Sequence, residues 1–137
     1  RAKFVMGDGL KKIKGKKFDL LICNPPYVPR KKSIDDNPYE GTGLLYHLVH
    51  EGQKYLNKGG IILINISNLC WEDTFKEKPK MTMKILEKMK VPLKVNNIMN
   101  NPKWVKYLRT KGLKKKWKKG YEYWQELNII TLTNETN

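Results

Sequence analysis

Acidic side chains are scarce in this chain of 137 residues: 13 Asp and Glu stand against 28 Lys and Arg, leaving a formal net charge of +15. An imbalance of that size points to a polyanionic partner rather than to a cationic one. Cysteine is nearly lacking too. Cys23 and Cys70 are isolated and show no CxxC spacing, which argues against a disulfide framework or a zinc site and fits a reducing, cytoplasmic setting. The two histidines, His47 and His50, lie three apart without a companion carboxylate or thiol, so they read as surface or packing residues and no metal site is expected. Long hydrophobic runs are missing: none approaches the ~20 residues of a membrane span. No signal peptide is read at the N-terminus, where Arg1-Ala2-Lys3-Phe4 leads straight into a strand-like segment. No GxGxG or GxGxxG run occurs, and no Ser/His/Asp or Cys/His set stands in a nucleophile context.

What is present alternates between strand and helix signals, as in an α/β domain with a parallel sheet. Ala2 to Met6 reads as a short strand closed by Gly7-Asp8-Gly9, followed by the basic linker Lys11 to Lys17 and the apolar run Phe18 to Cys23. A helix is expected from near Thr42, because Leu44, Leu45, Leu48, Val49 and Tyr55-Leu56 recur at helical spacing and Gly59-Gly60 supplies a stop. Ile61 to Ile66 is a second buried-strand run. Pro79 suits the first turn of a further helix carrying Met83, Ile85, Leu86 and Met89 and ending at Val91-Pro92. Leu93 to Ile98 and Trp124 to Leu132 read as strands, and Pro102 to Lys111 as a short basic helix stopped by Gly112. The whole is a single domain, with a basic insertion at about residues 100–121.

The most informative segment is Phe18 to Tyr27, FDLLICNPPY. Its nearly continuous apolar half suits a central parallel strand covered on both faces. Two consecutive prolines cannot continue a ladder, so the strand must end at Asn24. A polar amide and an aromatic ring are thereby presented at a strand's C-terminal end, where parallel α/β sheets open their ligand crevices.

This segment resembles the strand-four motif of class I S-adenosylmethionine (SAM)-dependent methyltransferases that act on planar amino groups, namely adenine or cytosine in nucleic acids or the side-chain amide of glutamine. The resemblance implies a Rossmann-like α/β sheet ending in an antiparallel strand pair, of which this chain looks like the C-terminal part without the Gly-rich SAM loop. It implies SAM as cofactor and Asn24, Pro25, Pro26 and Tyr27 as the catalytic segment. In the family the Asn amide oxygen and the first Pro carbonyl accept from the target NH2, and the Tyr stacks on its plane. By position, Asp8 looks like the acid after the third strand that accepts from the adenine of SAM, and Asn24 would also border the cofactor. Without the glycine loop and a ribose-binding acid, these residues alone are expected to hold SAM weakly. The glutamine-methylating relatives are echoed by Asp35, Asp36, Tyr39, Glu40 and Gly43-Leu44.

The charge is uneven. From Lys88 to Tyr121 there are twelve Lys or Arg and no Asp or Glu, and Lys114, Lys115, Lys116, Lys118 and Lys119 surround Trp117. Cations interleaved with an aromatic ring suit single-stranded nucleic acid. Trp104, Tyr107, Tyr121, Tyr123 and Trp124 share this region, and half or more of them are expected in packing. On this basis the expected function is N-methylation of a nucleic-acid base, adenine N6 or cytosine N4 in RNA or DNA. The alternatives are a protein-glutamine N5-methyltransferase with a protein substrate, and a non-catalytic basic module that binds nucleic acid. No membrane partner is expected.

Overall fold

The computed structural model describes residues 2–30, 42–94 and 96–136. Five strands form one sheet: β1 (Phe18–Cys23), β2 (Leu56–Ser67), β3 (Thr82–Pro92), β4 (Lys114–Lys118) and β5 (Tyr121–Thr133). The order is β1-β2-β5-β3, with β4 paired to β5 beyond the end of β2. β1 and β2 run parallel, with Leu20 to Cys23 opposite Ile61 to Ile64, while β5 is antiparallel to β2, β3 and β4. Among the described residues four helices accompany the sheet: α1 (Gly43–Glu51), α2 (Asn68–Phe75), α3 (Asn96–Met99) and α4 (Pro102–Thr110). This is a mixed α/β architecture with a parallel pair and a C-terminal antiparallel set, as in part of a class I methyltransferase-like fold.

The β1–β2 pairing depends on one glycine. At Gly60 an added Cβ would lie 2.9 Å from the carbonyl oxygens of both Phe18 and Asn57, so only a residue without a side chain lets the two backbones approach here. Beyond it, Ile62, Ile64 and Ile66 alternate onto one face and bury themselves with Ile130 and Leu132 of β5. Leu45, Leu48 and Val49 of α1 and Cys70 of α2 cover that face. His50 donates from Nε2 to the Thr74 carbonyl at 2.8 Å and so ties α1 to α2, the packing role expected for it. A second core gathers Leu69, Leu93, Ile98, Trp104, Val105, Leu108 and Leu113 around α4.

Several expectations fail for identifiable reasons. Ala2 to Met6 form no strand, because no neighbouring strand among the described residues takes up their backbone groups, and Phe4 and Met6 are exposed. β1 is not covered on both faces: Leu21 and Cys23 meet the core, but Leu20 and Ile22 are 53% and 70% exposed. The first helix ends at Glu51, a 3-10 turn spans Gly52–Tyr55, and β2 has already begun at Leu56. Residues after Pro79 are strand β3 and not a helix. The misleading helical spacing of Met83, Leu86 and Met89 comes from a bulge between Ile85 and Glu87. Met83 and Ile85 lie opposite Leu132 and Ile130, whereas Met89 and Val91 lie opposite Leu127 and Gln125 on the other face. Leu93 to Ile98 are not a strand either, since α3 begins at Asn96 and both end residues sink into the second core.

Two elements carry no signal read from the sequence. One is α2, whose Ser67 cap accepts from the Leu69 N–H at 3.1 Å. The other is β4, a strand of four lysines and Trp117. By contrast α4 forms as expected, with Pro102 in its first turn and the Asn101 side chain accepting from the Trp104 N–H at 3.1 Å. No helix among the described residues is long and apolar enough to cross a membrane.

Burial pushes the Cys70 thiol from 9.0 up to about 11. The folded state thus keeps the proton while the unfolded chain loses it, so stability present below pH 9 falls as the pH rises from 9 towards 11. Denaturation across that range should show a loss of about 2 kcal/mol, absent in Cys70→Ala. In the same assay at neutral pH, Ile64→Ala should cost about 2–5 kcal/mol and Trp117→Ala almost nothing.

Candidate active site

β1 stops where Pro25 and Pro26 remove two successive backbone donors. With Cys23 opposite Ile64, the next residues in register are Asn24 and Asn65. The Asn65 side-chain amide donates from Nδ2 to Asn24 Oδ1 at 3.0 Å. This contact sets the Asn24 amide oxygen against the Asn65 NH2 group. An amide oxygen has two lone pairs, so one remains for a further N–H donor, and Asn24 is exposed and accessible.

The residues that follow are held between the two cores. Pro25 is buried, and Tyr27 packs against the first core. Val28 packs against the second. Trp104 of α4 then donates from its indole Nε1 to the Pro29 carbonyl at 3.0 Å, and the Arg30 guanidinium lies 5.0 Å from the Trp104 ring centroid. The basic segment that contains α4 therefore has a structural purpose: its helix grips the segment just after Tyr27.

Asp8 lies at the edge of a cavity of about 580 Å³, lined also by Leu10, Lys14, Gly43, Leu44, His47 and Tyr55. Its carboxylate pairs with Lys11 Nζ at 2.9 Å, and its carbonyl accepts from the Lys11 N–H at 3.1 Å. Apolar walls from Leu10 and Leu44 with a carboxylate at the rim are chemically compatible with the flat, amine-bearing adenine end of SAM. No glycine-rich loop accompanies them for its amino-acid end. Leu10 and Leu44 line this cavity, and they and Tyr27 each pack against the first core.

Lys114, Lys115, Lys116, Trp117, Lys118 and Lys119 are not part of that neighbourhood and form the β4–β5 hairpin. Asp35, Asp36, Tyr39 and Glu40 lie outside the described residues. Sequence reasoning missed Asn65 and Trp104 as partners of the motif. A signal existed for the first, since Asn65 is the one polar residue inside the run Ile61 to Ile66. None existed for the second, whose partner is 75 positions away.

Trp104→Phe retains most of the packing but removes the donor to Pro29, and urea unfolding should show a loss of about 1 kcal/mol. Trp104→Ala, which also empties part of the second core, should cost about 3–5 kcal/mol.

Comparison with known proteins points to methyltransferases. A ribosomal protein uL3 glutamine methyltransferase of Francisella tularensis is 28% identical over 82 residues, which cover 50% of this chain and 26% of that protein. A putative protein N5-glutamine methyltransferase of Methanocaldococcus jannaschii is 31% identical over 96 residues, 61% of this chain and 49% of that protein. The chain thus matches about half or less of the length of these curated relatives. The family model described as methyltransferase small domain matches residues 1–97, taking in Asp8, the Asn24 to Tyr27 segment and Asn65, and by that match the chain belongs to the methyltransferase small domain family.

Proposed function

We propose that this chain supplies the acceptor end of a SAM-dependent N-methyltransferase whose target is the side-chain amide of a glutamine in a protein. The observation that carries the reading is the rigid Asn24-Pro25-Pro26-Tyr27 segment at the C-terminal end of β1, with the Asn24 amide oxygen held in place by Asn65. The +15 charge led the sequence reading towards a nucleic-acid base. Both relatives bear the name of glutamine methyltransferases, which favours glutamine over a base.

An amide nitrogen is a poor nucleophile because its lone pair is delocalised into the carbonyl. Asn24 Oδ1 and the Pro25 carbonyl can each accept one of its two N–H bonds, which directs the lone pair out of the amide plane. Tyr27 provides a flat surface against that plane. SAM, when bound, supplies an electrophilic methyl on a sulfonium. The chain's contribution is positional: two acceptors fixed by prolines, by Asn65 and by Trp104 lower the barrier without any charged base, and effects of this kind reach about 7–11 kcal/mol in well-oriented systems. The proton released from nitrogen after transfer passes to water. Asp8 is assigned to the adenine end of SAM.

In the full-length protein, methyl transfer from labelled SAM to a glutamine peptide should proceed, and Asn24→Ala should lower kcat by about 100-fold or more with little change in SAM affinity. Asn65→Ala should lower kcat by about 10-fold, because Asn24 remains but loses its fixed orientation. An Asn24→Ala variant with full turnover, or methylation of oligonucleotides but of no protein, would overturn the assignment.

A further inference from the structure

β4 is a strand made of four lysines and a tryptophan, and all five residues are exposed. Its tip is a tight turn at Lys119 and Gly120, whose φ angles of 51° and 79° give the left-handed pair that lets a two-residue hairpin follow the strand twist. Trp117 is 71% exposed. Lys115 pairs with Glu122 at 3.1 Å, but Lys114, Lys116, Lys118 and Lys119 have no acidic partner among the described residues. Neighbouring elements add cations: Lys94 Nζ sits 5.5 Å from the Tyr121 ring centroid, and Lys90 of β3 lines the same small cavity as Lys114.

Clustered like charge raises the free energy of the isolated hairpin, and an indole left in water forgoes its burial. Neither feature is needed to build the fold, since β5 already pairs with β2 and β3 along most of its length. Both are what a strand of phosphates and stackable bases requires. We propose that the β4–β5 hairpin is a docking surface for single-stranded nucleic acid, its lysines neutralising phosphates and Trp117 stacking on a base. The base of the hairpin joins the second core through Leu113 and Tyr123, where Val28 also packs. A bound strand would therefore lie on the same structural unit as the Asn24 to Tyr27 segment. Under the glutamine reading, it would bring in a protein substrate that is itself assembled with nucleic acid. Binding is measured without methyl donor, so its outcome is independent of that reading.

The test is fluorescence anisotropy with oligo-U and oligo-dT at several salt concentrations. For single strands each neutralised phosphate contributes about 0.7 to the slope of log K against log salt. Replacing Lys114, Lys115, Lys116, Lys118 and Lys119 by Gln should lower the slope by about 3.5. A charge-matched variant, with Gln at Lys3, Lys12, Lys16, Lys17 and Lys58, should leave it nearly unchanged. Trp117→Ala should weaken binding by about 10-fold or more at every salt concentration without altering the slope. Circular dichroism confirms that each variant is folded. Equal flattening in both lysine variants would reduce the effect to net charge and overturn the proposal, as would an unchanged slope in the hairpin variant. Binding to anionic vesicles and not to either oligomer would equally overturn it. Tighter binding of one oligomer tells RNA from DNA.

Discussion

The parallel pairing of β1 with β2 is the constraint from which the rest of the site follows. It sets Cys23 opposite Ile64 and thereby brings Asn24 beside Asn65. Parallel strands hold corresponding ends at the same edge of a sheet, so a polar residue at the close of each run meets its counterpart without any loop having to reach. That pairing needs Gly60, where the backbones of the two strands approach too closely for a Cβ. It also needs the Ile62, Ile64 and Ile66 ladder, because a shift of one residue would move all three from the core to the open face.

The site depends on rigidity contributed from two sides. The first core, under α1 and α2, fixes Tyr27, and the second, around α4, fixes Val28 and the Pro29 carbonyl. Between them the prolines remove most of the remaining backbone freedom. On the proposed function, this suits a reaction in which the protein need not transfer a proton in advance, since a conjugated amide would need two acceptors in fixed places. Asn65 matters in the same way, since an unsupported amide could turn its NH2 towards the target and offer a donor where an acceptor is wanted.

Charge is distributed apart from this chemistry. The described acceptors are neutral, while lysines crowd the hairpin and the outer strands. The +15 charge therefore says little about which amino group is methylated and more about what the surface meets. The segment that carries much of the charge is also structural, because its helix α4 provides Trp104. The cavity at Asp8 does carry charge, with Lys11 and Lys14 in its lining and Asp8 paired to Lys11.

The sequence alone determined that β1 stops before Pro25, because two prolines cannot stay in a ladder whatever surrounds them. It likewise determined α4, through Pro102 and Gly112, and the central parts of β2 and β5, Ile61 to Ile66 and Trp124 to Leu132, through runs rich in β-branched and aromatic residues. These are local effects. Tertiary structure decided that residues after Pro79 are a strand, since a bulge at Leu86 imitates helical spacing and only the partner β5 distinguishes the two. It decided that a lysine-rich pentapeptide is β4, as pairing with β5 outweighs poor intrinsic propensity. It decided, too, that Asn65 orients Asn24 and Trp104 holds Pro29, 41 and 75 positions away. Contacts of that sequence separation leave no periodicity in the chain, and they exist only once the sheet has closed the distance.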